Sequence, residues 1–425
     1  MTGRVIIVTG ANSGIGYETA KFLCNGGNEV ILACRNEEKG KAAVGKILES
    51  NPNALASFMQ LDLAELASVR KFVDDFHAGG RKLYALVNNA GVFLDKRSPR
   101  QFTKDNFELT LGTNHLGHFL LTNLLLGDLE STATEIGDAR IVVLTSMLHD
   151  RNLKKKMRNI TPFDIDDIFL AGEGKYSAEN AYKNSKLANI LFTYELAKQL
   201  QDRGVTANCI CPGFIPSTNL SRNATASSRF FVRYILGGLF RFTKITQSLE
   251  QGARAVVEMV TDEKYKGVNG KYFKNHAEAQ SSDESMDEEL RVKLWELSAR
   301  YCHLKGYEPL DAEIPPPAEK KEDPKDVSDT TEKVEEKADA SDKAKTEEEK
   351  TEKEKDMEKD EKDEKTEKQE EEKKEEETVK AEEKSDIKEN VEQTEVKKDD
   401  VTDEKGSEEK TTVADVEPVQ TEAAK

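Results

Sequence analysis

Val5-Ile6-Ile7-Val8-Thr9-Gly10-Ala11-Asn12-Ser13-Gly14-Ile15-Gly16 decides how the chain is read. Four β-branched apolar residues run without alternation, as in a strand buried on both faces. A glycine-rich turn follows, and a helical pattern from about Gly14 to Asn25 follows the turn. Phosphates dock at such a helix start, where free N–H groups and the helix dipole face them. Glycine serves where backbone must approach an anion or take positive φ. Glycine spacing alone is a weak signal, and an ordinary βα turn shows it too. The strand–turn–helix context gives it weight.

The same alternation continues outward. Strands are expected at Glu29–Ala33, Ala56–Leu61, Tyr84–Val87, Arg140–Thr145, Thr206–Cys211 and Gly270–Phe273. Helices are expected at Glu37–Glu49, Leu66–His77, Asn106–Asp128, Ala178–Gln201, Leu249–Val260 and Met286–His303. Strand-length apolar runs between helical patterns predict an α/β fold, a Rossmann-type doubly wound parallel sheet with helices on both faces. Residues 147–177 read as a polar insertion containing Lys154-Lys155-Lys156.

The chain divides by composition. Residues 318–425 hold 43 acids, 24 Lys and no aromatic residue, for a net charge of −19. Residues 1–317 hold 38 acids and 39 bases, so the formal charge of −18 belongs to the tail. Such a tail cannot bury enough apolar surface to offset its chain entropy. Its Glu/Lys pairs at helical spacing add only ~0.2–0.5 kcal/mol each, so disorder or a fraying helix is expected. The expected organisation is a domain over 1–310, a Pro-rich linker over 311–317 and the low-complexity tail. The tail reads as a passive extension, with a docking arm for protein partners as the functional alternative.

Other classes are disfavoured. No run of about 18 uncharged apolar residues predicts a spanning helix. Met1–Arg4 leads directly into the first strand, too short for a signal-peptide core. The five Cys are scattered, and Cys209 and Cys211 lack redox or zinc-pair spacing, so reduced thiols, no metal and a cytoplasmic protein are expected. The near-neutral body disfavours a nucleic-acid surface.

Chemistry-bearing residues follow the strands. After the second strand, where an acid commonly reads the ribose hydroxyls of NAD, stands Ala33-Cys34-Arg35-Asn36. A guanidinium suits a 2′-phosphate, which favours NADP(H), although Arg35 also reads as a solvated residue opening a helix. Tyr182 and Lys186 share one helix face at i, i+4, a pair that by itself is commonly structural. A fixed ammonium near a phenol lowers a pKa otherwise near 10. Ser146 follows the fifth strand, at the carboxyl edge where open α/β sheets bind ligands; alone it is a turn serine. Asn88-Asn89-Ala90-Gly91 ends the fourth strand and alone is a turn or cap.

Taken together, over about residues 3–275, the set resembles the short-chain dehydrogenase/reductase superfamily. The match comprises Thr9–Gly16, Asp62, Asn88–Gly91, Asn114, Ser146, Tyr182 with Lys186, and Pro212-Gly213, all in family order. Ala33-Cys34-Arg35, Thr113-Asn114-His115-Leu116-Gly117-His118-Phe119 and Ser185–Asn189 resemble the branch containing the retinol dehydrogenases, the WW-domain oxidoreductase and protochlorophyllide reductase. That branch mostly uses NADPH, and many members act on retinoids or other lipophilic carbonyls.

The resemblance implies a set of roles. Gly10, Ser13, Gly14, Ile15 and Gly16 hold the pyrophosphate and its ribose, and Arg35 the 2′-phosphate. Asp62 and Leu63 address the adenine, and Asn89, Ala90 and Gly91 line the cofactor ribose. Tyr182 exchanges the proton with the carbonyl oxygen, Lys186 lowers its pKa and binds the nicotinamide ribose, and Ser146 binds the substrate oxygen. Asn114 holds a water linking Lys186 to solvent. Pro212, Gly213 and Ile215 contact the nicotinamide.

Some features depart from the family pattern. Thr145-Ser146 stands for the common Ser-Ser, and Ser217 and Thr218 compete for the place of the Thr after Pro-Gly. Since Met1 nearly abuts the first strand, the N-terminal anchor of several retinol dehydrogenases is not expected here. Asn219–Phe242, aromatic and Arg-studded, takes the substrate-lid position, and a basic amphipathic segment there also suits peripheral membrane contact. The expected activity is hydride transfer between NADP(H) and a lipophilic carbonyl or alcohol. The alternative is a non-catalytic dinucleotide-binding scaffold.

Overall fold

β1 (Val5–Thr9) is buried from Ile6 onward, as its unbroken apolar run requires. In the computed structural model, residues 3–150, 162–213, 215 and 247–312 are described. Lys154–Lys156, the 219–242 segment, Pro216 to Thr218, most of the linker and the tail lie outside the described residues.

β1 sits inside an eight-stranded sheet of order β3-β2-β1-β4-β5-β6-β7-β8. The other strands are β2 (Glu29–Cys34), β3 (Leu55–Gln60), β4 (Leu83–Asn88), β5 (Ala139–Leu144), β6 (Val205–Cys211), β7 (Tyr272–Lys274) and the two-residue β8 (Ala277–Glu278). All neighbours are parallel except β7 and β8. Strand order reverses between β1 and β4, which opens a crevice at their carboxyl ends.

Alternate strand residues feed two apolar layers. Ile7, Ile31 and Leu86 face α3 (Leu66–Ala78), α5 (Gly117–Ile136) and α6 (Ala178–Gln199), packing with Phe72, Phe119 and Phe192. Ile6, Val8 and Leu32 face α1 (Gly14–Asn25), α2 (Glu37–Ser50) and α7 (Leu249–Thr261), packing with Leu23, Ile47 and Val256. α8 (Glu288–Tyr301) closes the first layer, with Trp295 edge-on to Phe119 at 4.9 Å between ring centroids. The doubly wound expectation therefore describes the body.

Several boundaries differ from expectation. The helix expected over Asn106–Asp128 starts later and ends later. Phe102 and Glu108 pair as an isolated bridge, and the Glu108 carboxylate accepts from the N–H groups of Thr110 and Leu111, opening α4 (Leu109–Leu111). A π turn over Gly112–Leu116 leads into α5, which continues to Ile136 because Leu129, Thr132 and Ala133 are buried. Gly137 at φ +75° closes it. The last helix starts at Glu288 rather than Met286, since Asp283–Met286 form a 3₁₀ turn and Asp287 caps the Leu290 N–H. Gly270 takes φ +67°, so β7 begins at Tyr272.

The insertion is less polar in effect than its composition suggests. Phe163 and Ile168 are buried in a third cluster with Leu111, Leu187, Leu191 and Leu294. Its described carboxyl half is thus part of the core. All five cysteines are free and buried. No helix among the described residues is long and apolar enough to cross a membrane.

Candidate active site

The crevice begins at the glycine turn. Gly10 and Gly14 take φ +65° and +59°, where L side chains are strained. The Gly10 N–H donates to the Ala33 carbonyl at 2.8 Å, tying the turn to the end of β2. A Cβ on Gly16 would lie 2.4 Å from Asn89 Nδ2, whereas a Cβ on Gly14 would meet open space. The Ser13 side chain makes no capping bond, and no acid occupies the first turn of α1. These features suit an anion at the helix start.

Two residues flank the turn at the ends of β2 and β3. Arg35 is exposed and makes no hydrogen bond or ion pair among the described residues. Beside it, burial pushes the Cys34 thiol up to about 11, against the N–H groups of Ala11 and Asn12. Asp62 is half-buried, its Oδ1 accepting from the Ala64 N–H at 3.0 Å. Leu63 is buried under Gly117, whose Cβ would strike the Leu63 carbonyl at 2.3 Å.

The loop Asn89-Ala90-Gly91-Val92 is held at both ends. Thr9 Oγ1 accepts from the Asn89 and Ala90 N–H groups, each at 2.9 Å, and Asn89 Nδ2 donates to the Thr9 carbonyl at 2.6 Å. Asn114 lies in the π turn. Its Oδ1 accepts from the Val92 N–H at 2.7 Å, and its Nδ2 donates to the Val92 carbonyl and to Ser185 Oγ, both at 3.0 Å. The Asn114 side chain is therefore committed to the loop. Its main-chain carbonyl accepts from His118 Nδ1 at 3.0 Å. A Cβ on Gly91 would lie 3.7 Å from Lys186 Nζ, so this loop borders the Tyr–Lys pair.

Tyr182 and Lys186 are 5% and 4% exposed on α6, against the ends of β5 and β6. Lys186 Nζ lies 5.6 Å from the Tyr182 ring centroid and donates to the Leu144 carbonyl at 3.1 Å. Phe93 packs on the Tyr182 ring at 4.6 Å between centroids. Ser146 Oγ caps the 3₁₀ turn Met147–His149 through the Leu148 N–H, on the side of the turn that faces Tyr182. Burial pushes the Tyr182 phenol upward, with the Cys211 thiol adding to this and the Ser146 hydroxyl opposing it. Burial likewise pushes Lys186 down to about 8, opposed by Cys211. The expected lowering of the phenol by Lys186 is not what this arrangement shows. An ammonium itself disfavoured by burial and aimed at a carbonyl does little to offset the phenol's loss of water.

Pro212 and Gly213 leave β6, and Ile215 is 6% exposed. Gly213 takes φ +89°, and a Cβ there would lie 2.7 Å from Gln247. A Cβ on Gly252, in α7, would meet Ile215 Cδ1 at 2.4 Å, so this exit loop rests on α7.

Tertiary structure thus sets the expected residues along the carboxyl ends of β1 to β6. It adds His118, Phe93, Ser185, Cys211 and the Leu144 carbonyl, for which sequence spacing carried no role. In the sequence His118 stands only as a member of the Thr113–Phe119 motif, with no role attached to it.

Comparison with known proteins agrees with this geometry. The family model for the short chain dehydrogenase matches residues 4–155 and 170–228. Retinol dehydrogenase 12 of Mus musculus is 39% identical over 305 residues, covering 72% of this chain and 87% of its own length. Polyprenol dehydrogenase of Danio rerio is 39% identical over 308 residues, covering 71% and 88%. The WW domain-containing oxidoreductase of Homo sapiens is 39% identical over 305 residues, covering 70% and 68%. Among solved structures, a Mycobacterium paratuberculosis protein of uncharacterised function superposes with a TM-score of 0.53 at 30% identity, over 71% of this chain and 93% of its own. The chain belongs to the short-chain dehydrogenase/reductase family, in its retinol dehydrogenase branch. It is a dinucleotide-dependent oxidoreductase.

Proposed function

We propose that the chain transfers hydride between NADP(H) and a lipophilic aldehyde or ketone, or the corresponding alcohol. The observation that carries this reading is the buried pair Tyr182 and Lys186 with the half-buried Ser146, beside a glycine turn whose helix start is uncapped. The residues fit the nucleotide. Gly14 leaves room for the pyrophosphate, and Gly10, Ser13, Ile15 and Gly16 shape that cradle. Arg35 offers a free guanidinium to a 2′-phosphate. Asp62 and Leu63 border the adenine end. Asn89, Ala90 and Gly91 wall the nicotinamide ribose, and Pro212, Gly213 and Ile215 the nicotinamide. When bound, the nicotinamide supplies or accepts the hydride.

The chain's own residues handle the proton. A phenol pushed upward by burial is protonated at neutral pH, the form that donates to a carbonyl oxygen during reduction. Ser146 Oγ, next to Tyr182, orients that oxygen beside the phenol. Lys186 spends one N–H on Leu144 and keeps two for a ribose and for support of the phenolate left after transfer. Asn114 holds the neighbouring wall through Val92 and Ser185. Retinol and polyprenol, in the names of the relatives, are both long isoprenoid alcohols, which supports an apolar substrate class. The body over 1–310 carries this activity, with the 311–317 linker and the tail outside it. Protein partners of the tail, and membrane contact through 219–242, belong to this reading as secondary features.

The test is NADPH and NADH oxidation across a panel of lipophilic aldehydes and ketones, with wild type, Tyr182→Phe and Arg35→Ala. NADPH is expected to be preferred. Tyr182→Phe is expected to lose turnover ~10²–10⁴-fold while still binding NADPH. Arg35→Ala is expected to weaken NADPH roughly ten- to a hundredfold, with NADH barely changed. NADPH binding without turnover on any carbonyl by the wild type would favour the scaffold reading.

A further inference from the structure

His118 stands at the junction of the two clamps on the 89–92 loop. Thr9 holds the loop's first two amides and Asn114 holds Val92. His118 Nδ1 meets the Asn114 carbonyl at 3.0 Å, and its Nε2 meets Thr9 Oγ1 at 2.9 Å. The imidazole is 2% exposed.

Hydrogen-bond capacity fixes the polarity of this link. A carbonyl only accepts, so Nδ1 carries the proton toward Asn114. In a neutral imidazole Nε2 then accepts. Thr9 Oγ1 already accepts from two amides, which uses its lone pairs, so its single proton is free to donate. It donates to Nε2 at 2.9 Å in preference to the Val87 carbonyl at 3.3 Å. The opposite tautomer would set an Nδ1 lone pair against the Asn114 oxygen and give Thr9 a third donor.

We propose that His118 is a positioning residue that closes a hydrogen-bonded ring around the 89–92 loop, from Thr9 through the loop to Asn114 and back. As a neutral Nδ1–H tautomer it sets the height of the ribose wall beside Lys186. The charged and titratable groups facing it are Lys186 of α6 and His115 of the π turn that precedes its helix. Burial pushes His118 down to about 4, with the Asn114 bond opposing and Lys186 reinforcing, so the ring stays neutral at working pH. The functional part rests on reading the loop as the nicotinamide ribose wall. The tautomer does not.

The experiment has two arms. In the first, ¹⁵N-histidine-labelled full-length protein without nucleotide is followed by NMR. The chain has six histidines, so the His118 signals are identified by their loss in His118→Gln. A protonated Nδ1 and bare Nε2, unmoved over roughly pH 5.5–8, is expected. An Nε2–H tautomer or a titrating ring overturns the proposal. In the second arm, NADPH affinity and steady-state kinetics are compared for His118→Phe, which keeps a ring of similar size, and His118→Gln, whose Oε1 restores an acceptor toward Thr9. His118→Phe is expected to raise the Kd for NADPH about tenfold with little change in the KM for the carbonyl, and His118→Gln to recover most of that affinity. Wild-type affinity in His118→Phe, or no recovery in His118→Gln, overturns the positioning role. If His118→Phe does not fold, His118→Leu takes its place in the same comparison, with the same tenfold rise in Kd required and wild-type affinity overturning the role. If the wild type itself binds no dinucleotide, the proposed function fails, while the first arm still reports on the tautomer.

Discussion

A buried cation stands at each end of β5, Arg140 from the strand itself and Lys186 from α6, and the two are treated differently. At its amino end Arg140 is 2% exposed, and its guanidinium forks onto Asp138 at 2.8–3.2 Å. Its remaining donors reach the Met259 and Asp262 carbonyls at 3.2 and 2.8 Å. Tyr84 completes the set by donating to Asp138 at 2.7 Å. At the carboxyl end Lys186 is 4% exposed and, among the described residues, hydrogen-bonds the Leu144 carbonyl alone. The first cation is saturated and joins β4, β5 and the end of α7. The second keeps donors unspent at the edge where the crevice opens. Burial costs both, and the described chain offsets less of that cost at Lys186 than at Arg140.

The sharpest way to break this comparison is Arg140→Ala. It leaves Asp138 buried without its partner, which typically costs about 3–5 kcal/mol. A fall in melting temperature on the order of 10 °C is expected, with NADPH affinity of the folded protein unchanged. Calorimetry with nucleotide titration checks both. A small shift would mean that the amino-end cluster is not what holds that end of the sheet.

Lys186→Met should behave in the reverse manner. Turnover is expected to fall at least ~10²-fold and NADPH to bind more weakly, while the nucleotide-free protein melts no lower than wild type. Loss of stability comparable with Arg140→Ala would erase the distinction between the two cations.

A smaller effect sharpens the point through pH. Lys186 is pushed from 10.5 to about 8 in the folded chain. Below about pH 8 both states hold the proton, and the cost of burying the charge is fully present. Between about 8 and 10.5 the unfolded chain keeps a proton that the folded chain has shed, so stability contributed by this site rises with pH. The melting temperature of wild type should therefore gain on that of Lys186→Met by a few degrees between pH 8 and 10. A constant difference across that range would show that Lys186 is not held in an apolar setting.

The smallest effect is expected at the other extreme of composition. Truncation after Pro317 removes a net −19 and no aromatic residue. It should leave the melting temperature within about 1 °C and turnover on small aldehydes nearly unchanged. Contacts of the tail with exposed basic patches would be largely screened beyond ~8 Å at physiological salt. A large, salt-sensitive rise in activity on truncation would identify the tail as an inhibitor.

What the sequence by itself determined was local. The apolar run Val5–Val8, the turn at Gly10–Gly16, the i, i+4 spacing of Tyr182 and Lys186 and the charge step at Pro317 each lie within a few residues, and each has a physical reading at that length. Parallel strands joined by helices then place successive strand ends on one edge, so the site residues of β1, β4, β5 and β6 could be expected together. Tertiary structure alone decided what depends on distant partners. Thr9 and His118 are 109 residues apart, and neither shows in its neighbours that they share a proton. Phe163 and Ile168 look like punctuation in a polar stretch until Leu187, Leu191 and Leu294 arrive to cover them. The direction in which Tyr182 shifts also depends on distant partners. Spacing places an ammonium near a phenol, but how much water each loses is set by the strands and Phe93 that close over them, and for this pair the loss of water is the larger effect.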